Sequence, residues 1–197
     1  NKTIIDGEVN YTVGKASVWG WDPYFNYYNI TGGNWAMNIT KGNGHITISN
    51  LTIQNCWSAG GSDISLYKTA TIDNYGNLTV NNSIFDFNLK SDSTGNFGAG
   101  IYNNGTAVIV NSIFRNNYAR WGTITNDRIM NITNCTLQNN SAYGGASTFK
   151  YGSGIAVNSG AADFFNPYGL SGLQTNIRDC TFIGNRQTDI YSISSAL

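Results

Sequence analysis

The sequence predicts an all-β chain wound as a right-handed parallel β-helix, a solenoid of about six to seven coils with inserted loops. Three observations carry that expectation. A twelve-residue cadence returns five times, as HITISNLTIQNC (45–56), NLTVNNSIFDFN (77–88), TAVIVNSIFRNN (106–117), IMNITNCTLQNN (129–140) and QTNIRDCTFIGN (174–185). Within it, apolar residues alternate with Thr, Asn and Ser at the period of a half-buried strand. The chain also holds 23 glycines, 2 prolines and a single glutamate, Glu8, a composition of many turns and few helix formers.

The cadence is anchored at Asn50, Asn82, Asn111, Asn134 and Asp179, at intervals of 32, 29, 23 and 45 residues. Two places upstream stand Ile48, Val80, Ile109, Ile132 and Ile177, and four upstream Ile46, Leu78, Ala107, Met130 and Thr175. These alternate positions are expected to face inward. Past the anchor the inward phase resumes at Leu51, Ser83, Ser112, Cys135 and Cys180, then at Ile53, Phe85, Phe114, Leu137 and Phe182. Six places past it come Cys56, Asn88, Asn117, Asn140 and Asn185. Each repeat therefore reads as a strand, a one-residue bend, a second short strand and a turn at Asn. Asn tolerates the left-handed geometry of a tight bend, and stacked amides bond one another, so the column Asn88, Asn117, Asn140, Asn185 is expected to form a ladder.

A third apolar mark at Ile64, Ile101, Ile124, Ile155 and Ile190 completes three strands per repeat, a triangular coil. One such coil cannot bury its apolar side. Coils stacked about 4.8 Å apart place like residues in columns and close a continuous core. Right-handed crossovers are the default for parallel strands. A sandwich would share the period-2 pattern but would not keep one residue type in one column through five repeats.

The 23-residue interval is close to a bare coil, so longer intervals carry loops, the largest within residues 141–172. TIIDG (3–7) and MNIT (37–40) read as strands of earlier coils with a long excursion between them. TDIYS (188–192) begins a third strand that is not continued. The expected organisation is one domain over 1–197, a piece of a longer surface protein, with N-terminal coils and an aromatic insertion in 1–40 and regular coils in 41–197.

Charged residues are 11 % and the net charge is zero, which leaves no basic footprint for nucleic acid. No apolar run approaches the roughly 18 residues of a membrane span, and NKTIIDG lacks the regions of a signal peptide. The three cysteines, Cys56, Cys135 and Cys180, lack zinc spacing, and His45 is the only histidine. No metal and no cofactor are expected. Cys135 and Cys180 share an inward column in consecutive repeats, as a ladder of small apolar side chains or as a disulfide if the separation permits. Cys56 is expected to stay a thiol.

Polysaccharide lyases and hydrolases built on this fold need clustered Asp with a basic residue, or paired carboxylates across a sugar bond. The outward columns at Ser49, Asn81, Val110, Thr133, Arg178 and at Thr47, Thr79, Val108, Asn131, Asn176 hold no carboxylate. The column Gln54, Asp86, Arg115, Gln138, Ile183 offers one exposed ion pair, Asp86 with Arg115. Asp63, Asp92, Asp127 and Asp163 could still converge from loops. The expectation is a chain that is not an enzyme and has no catalytic residue, with a lyase or hydrolase as the alternative.

The strongest signal outside the repeat is VWGWDPYFNYYNITGGNW (18–35). Its aromatic residues either cap the open end of the stack or form a platform on which sugar rings lie. The candidate ligand-binding residues are Trp19, Trp21, Tyr24, Tyr27, Tyr28 and Trp35, with Phe149, Tyr151, Phe164, Phe165 and Tyr168 in reserve.

NLTVNNSIFDFN followed by GAGIYNNGTAVIVNSIFRNN resembles the adhesin-like surface proteins of methanogenic archaea. The pattern is also similar to the polymorphic outer-membrane repeats of chlamydiae, with their GGA-type turn and FxxN. Phe85 to Asn88, Phe114 to Asn117 and Phe182 to Asn185 match FxxN, while Gly98-Ala99-Gly100-Ile101 and Gly152-Ser153-Gly154-Ile155 are variants of the turn. The resemblance covers roughly residues 40–197. It implies a right-handed β-helix at a cell surface with adhesion as its role, so the expected partner is a glycan or another cell-surface ligand. A passive stalk that displays other domains is the further alternative. Both families' repeat residues are structural and carry no site across.

Overall fold

A computed structural model of the chain describes residues 3–6, 10–15, 26–31, 37–39, 45–59, 71–91, 99–119, 122–142, 152–158, 174–186 and 188–193. Every regular element among them is a β-strand. Four strands open the chain: β1 (Thr3–Asp6), β2 (Asn10–Lys15), β3 (Asn26–Thr31) and β4 (Met37–Ile39). A circuit follows through β5 (His45–Ser49), β6 (Leu51–Gln54), β7 (Trp57–Ala59) and β8 (Ile72–Asn74). The second runs through β9 (Asn77–Asn81), β10 (Ile84–Asp86), β11 (Leu89–Ser91) and β12 (Ile101–Asn103). The third holds β13 (Thr106–Val110), β14 (Ile113–Arg115), β15 (Tyr118–Ala119) and β16 (Ile124–Asn126), and the fourth β17 (Ile129–Thr133), β18 (Thr136–Gln138), β19 (Ser141–Ala142) and β20 (Gly152–Asn158). The last comprises β21 (Gln174–Arg178), β22 (Thr181–Ile183) and β23 (Thr188–Ile193).

Strands at the same place in successive circuits pair in parallel and make four sheets. Sheet I runs β5-β9-β13-β17-β21, sheet II β1-β6-β10-β14-β18-β22, sheet III β7-β11-β15-β19 and sheet IV β4-β8-β12-β16-β20-β23. The chain visits them in one cyclic order, IV, I, II, III, as a solenoid does. Register is kept throughout sheet I, with Ile48 opposite Val80, Val80 opposite Ile109, and Ile109 opposite Ile132. β1 pairs with β6 and β4 with β8, so both early segments stack as expected.

Two readings of the sequence are corrected. Each of the first four circuits has four strands rather than three, because a short strand of sheet III follows the second bend. β15 and β19 are only two residues long, too short for a period-2 pattern to show. The partner of Ile101 in sheet IV is Ile72, and Ile64, expected in that column, lies outside the described residues. The insertion after β7 displaced the apolar mark by eight residues, and Ile64 imitated it.

Alternation puts Leu78, Val80, Ala107, Ile109, Met130 and Ile132 of sheet I inside, where they meet Ile53, Phe85, Phe114 and Leu137 of sheet II and Ile72, Ile101, Ile124 and Ile155 of sheet IV. Phe85 and Phe114 stack with ring centroids 4.6 Å apart and planes 10° from parallel. Burial of each such ring contributes roughly 1.5–3 kcal/mol.

The bend between sheets I and II uses a single left-handed residue in every circuit: Asn50, Asn82, Asn111, Asn134 and Asp179, with φ of 58°, 49°, 52°, 52° and 52°. The bend between sheets II and III does the same at Asn55, Phe87, Asn116, Asn139 and Gly184. Immediately after it the ladder forms as expected. Asn117 Oδ1 accepts from the backbone N–H and the Nδ2 of Asn88 at 3.0 and 3.1 Å, while Asn117 Nδ2 donates to Asn140 Oδ1 and to Phe85 O at 3.0 and 3.1 Å. Asn140 meets Asn185 in the same way. Asn88, Asn117 and Asn140 are buried in the core wall, and the ladder satisfies donors and acceptors that burial would otherwise penalise.

A second ladder closes sheet IV. Asn74 Nδ2 donates to Asn103 Oδ1 at 2.6 Å, Asn103 Nδ2 to Asn126 Oδ1 at 2.7 Å, and Asn126 Nδ2 to Thr175 Oγ1 at 2.7 Å. Each Oδ1 also accepts from the backbone N–H two residues on, at Gly76, Gly105 and Arg128, which makes an Asx-turn that leads the chain into sheet I. A Cβ at Gly105 would drive into the backbone of Gly76, so that turn needs glycine, whereas the next circuit carries Arg128 at the same place.

β2 and β3 stand apart as an antiparallel pair, and among the described residues they join none of the four sheets. At the far end Ile177, Cys180 and Phe182 are only partly buried, and Ile183 and Ile190 are exposed.

Candidate functional site

Tyr27 and Tyr28 lie in β3, opposite Gly14 and Val13 of β2. The β2–β3 pair that carries them belongs to none of the four sheets. Trp19, Trp21, Tyr24 and Trp35 lie outside the described residues, as do Phe149, Tyr151, Phe164, Phe165 and Tyr168.

The outer face of sheet I is uncharged along Thr47, Thr79, Val108 and Asn131, ending on Asn176, and polar except at Val108. Its groups bond along the stack. Asn176 Nδ2 donates to Asn131 Oδ1 at 2.8 Å, and His45 Nε2 lies 2.8 Å from Thr79 Oγ1. The bend asparagines behave alike, Asn134 Nδ2 donating to Asn111 Oδ1 at 2.8 Å. Among the described residues no three His, Cys, Asp or Glu side chains converge as metal ligands would.

Asp86 and Arg115 form the expected ion pair across adjacent strands of sheet II. Arg115 Nη2 and Nε approach Asp86 Oδ2 at 2.6 and 2.8 Å, and Asn116 Nδ2 donates to Oδ1 at 2.9 Å. Both carboxylate oxygens are thus engaged, and the guanidinium is held in one orientation while 44 % exposed. Next to Asp86 stands Phe87, in the left-handed conformation at φ 53° and 36 % exposed. The equivalent positions carry Asn55, Asn116, Asn139 and Gly184, residue types that accept this geometry. A phenylalanine there costs about 1 kcal/mol of backbone strain.

Of the loop carboxylates considered from sequence, Asp127 is buried at 9 % exposure, and Asp63, Asp92 and Asp163 lie outside the described residues. The Tyr102 hydroxyl donates to Asp127 Oδ2 at 2.7 Å, and the ring of Tyr75 meets that of Tyr102 edge-on at 5.9 Å. Asp73, opposite Tyr102 in sheet IV, is also buried. Burial, then the charge and hydrogen bond of Asp127, hold the Tyr102 hydroxyl well above the usual tyrosine range. Burial, then Asp73 and Asp127, do the same to Tyr75. Sequence reasoning placed no weight on these tyrosines or on Asp73. The outward phase of sheet IV is visible once Ile72 is taken as its inward mark, but its burial is not.

All three cysteines are free thiols. Thr181 N donates to Cys135 O, so Cys180 follows Cys135 in one column, as read from the sequence. Burial pushes the Cys135 thiol up to about 11. Its Sγ donates to Thr133 O at 3.3 Å, and that of Cys180 to Arg178 O at 3.1 Å.

Compared with protein-family models, with curated proteins and with solved structures, the chain matches none, and the resemblance drawn above rests on the repeat residues alone.

Proposed function

We propose that the chain is a right-handed parallel β-helix that serves as a non-catalytic, adhesin-like binding domain at a cell surface, with glycans as its ligands. The observation that carries this reading is that the repeat's polar side chains bond along the stack. Asn88, Asn117, Asn140 and Asn185 bond one another, Asn74, Asn103 and Asn126 likewise, and Asp86 is saturated by Arg115 and Asn116. Chemistry of that kind stiffens a scaffold. A stiff scaffold suits display, because a ligand bound to it orders little further chain on binding.

Flat, neutral, hydrated strand faces offer many weak hydrogen bonds and little apolar area to drive association. The aromatic segment supplies that area. Trp19, Trp21, Tyr24, Tyr27, Tyr28 and Trp35 are the residues proposed to bind, since rings lie well on the C–H face of a pyranose and lose little side-chain entropy on doing so. The resemblance to archaeal and chlamydial surface repeats supports the same placement outside the cell.

A glycan array probed with the recombinant chain tests the reading. Binding is expected, and Trp21→Ala should abolish it while the melting temperature holds. A fall in melting temperature with binding retained would make the aromatic segment a cap. An array without any bound glycan would favour the stalk.

A further inference from the structure

Just past the anchor bend, one column of the stack reads Leu51, Ser83, Ser112, Cys135 and Cys180. Its serines tie circuits together: Leu51 N donates to Ser83 Oγ at 3.3 Å, and Ser83 N to Ser112 Oγ at 3.2 Å. A thiol is a weak acceptor and a poor replacement for that tie. Cysteine nevertheless takes over the column at the 45-residue interval between Asn134 and Asp179, where the longest insertion separates two circuits. We propose that Cys135 and Cys180 are an oxidation site, a thiol pair that a low-molecular-weight disulfide converts into a covalent clasp between the circuit of β17 and β18 and that of β21 and β22. The clasp is independent of any glycan.

Register sets the two cysteines opposite each other. On one side Thr133 is the partner of Arg178 and on the other Thr136 of Thr181, while Asn134 N donates to Arg178 O at 3.1 Å and Thr181 N to Cys135 O at 2.9 Å. Neighbouring strands hold such residues about 4.8 Å apart, inside the range of roughly 4.4–6.8 Å between the Cα atoms of a disulfide. The side chains take the same course. Cys135 Sγ lies against Thr133 O and, at 3.7 Å, Ile109 O one circuit back, and Cys180 Sγ lies likewise against Arg178 O and, at 3.8 Å, Ile132 O. The thiols are close enough to act on each other, the charge and hydrogen bond of Cys180 adding to the burial that raises Cys135.

Cys135 is buried and Cys180 half-buried, so a reagent meets Cys180 first. Cys180 gives its proton to water, and its thiolate attacks one sulfur of the small disulfide and releases one small thiolate. Cys135 then loses its proton, and its thiolate attacks the Cys180 sulfur and expels the second. Two protein thiols are oxidised, one small disulfide is reduced to two thiols, and the two protons end on those thiols. The bond closes a loop over the longest interval of the repeat, where it restricts the unfolded chain most. Cys56 heads the asparagine ladder instead, its N donating to Asn88 Oδ1 at 3.1 Å, and stays outside the clasp.

The test incubates the whole reduced chain with glutathione disulfide under native conditions, alkylates the thiols that remain and weighs the peptides by mass spectrometry. Peptides joined through Cys135 and Cys180 are expected, with Cys56 alkylated. The oxidised chain should melt about 5 to 10 °C higher than the reduced one, and dithiothreitol should undo the shift. Cys135→Ser should stop at one glutathione on Cys180, and Cys180→Ser should gain neither a cross-link nor melting temperature. Both variants place in the column the residue it already holds at Ser83 and Ser112. Wild-type chain that keeps all three thiols, or that stops at a glutathione adduct on Cys180, would overturn the proposal. A cross-link to Cys56 would overturn the pairing, and a cross-linked chain that melts no higher than the reduced one would overturn the clasp.

Discussion

At Tyr102 a phenol hydroxyl lies 2.7 Å from an oxygen of Asp127, with both residues withdrawn from water. Ionising that hydroxyl would set a second negative charge beside the carboxylate in a medium that solvates neither. Tyr102 and its neighbour Tyr75 therefore keep their protons beyond the point, near pH 10, at which unfolded tyrosine gives them up. Above about pH 10 the folded chain binds more protons than the unfolded one, so these groups' contribution to stability is complete below that pH and is lost as pH rises above it. Tyrosinate absorbance during an alkaline titration should show fewer than all 12 tyrosines ionising while circular dichroism remains native. Uniform titration of every tyrosine near the ordinary value, with the fold intact, would contradict the buried pair. Tyr102→Phe should lower stability at neutral pH by about 1–3 kcal/mol, because Asp127 loses a buried donor.

At the scale of the element, the ladder that follows sheet II decides how firmly one circuit is tied to the next. Asn117 accepts twice from Asn88 and donates to Asn140 and to the Phe85 carbonyl, all in the interior. Asn117→Ala strands those partners without water, and an expected loss of about 2–4 kcal/mol follows. Asn131→Ala removes an amide that bonds Asn176 on the exposed face of sheet I, and its expected cost is within about 0.5 kcal/mol. Chemical denaturation of the two variants checks the contrast, and equal losses would show that the ladder is not what couples the circuits. This ladder was legible in the sequence because its asparagines keep a fixed offset from the anchor. So were the stacked columns, the anchor bends and the ion pair, each set by local spacing. The second ladder keeps its own offset, Asn74, Asn103 and Asn126 each standing eight places before the next anchor, but it lies outside the twelve-residue cadence, and sheet III was hidden by strands of two or three residues. Phe87 could have been found: the alignment puts it in a column of Asn and Gly, and only the left-handed φ of that column was missing. The candidate aromatic site was legible as composition alone, because its residues obey no repeat that would fix their position.

For the whole molecule, five similar circuits give a core that grows by stacking, so stability is distributed along the axis and function is free to lie in what interrupts the repeat. Such an interruption is the pair of β2 and β3, with its aromatic sequence. Asp86 is engaged by Arg115 and Asn116, and one oxygen of Asp127 by the Tyr102 hydroxyl. Binding without turnover is the central claim, and one measurement joins its two halves. Neutral oligosaccharides passed over the immobilised chain, eluted and weighed by mass spectrometry should be retained and recovered at unchanged mass. Recovery of shortened or unsaturated products would make the chain a hydrolase or lyase, and passage of every oligosaccharide without retention would contradict binding itself.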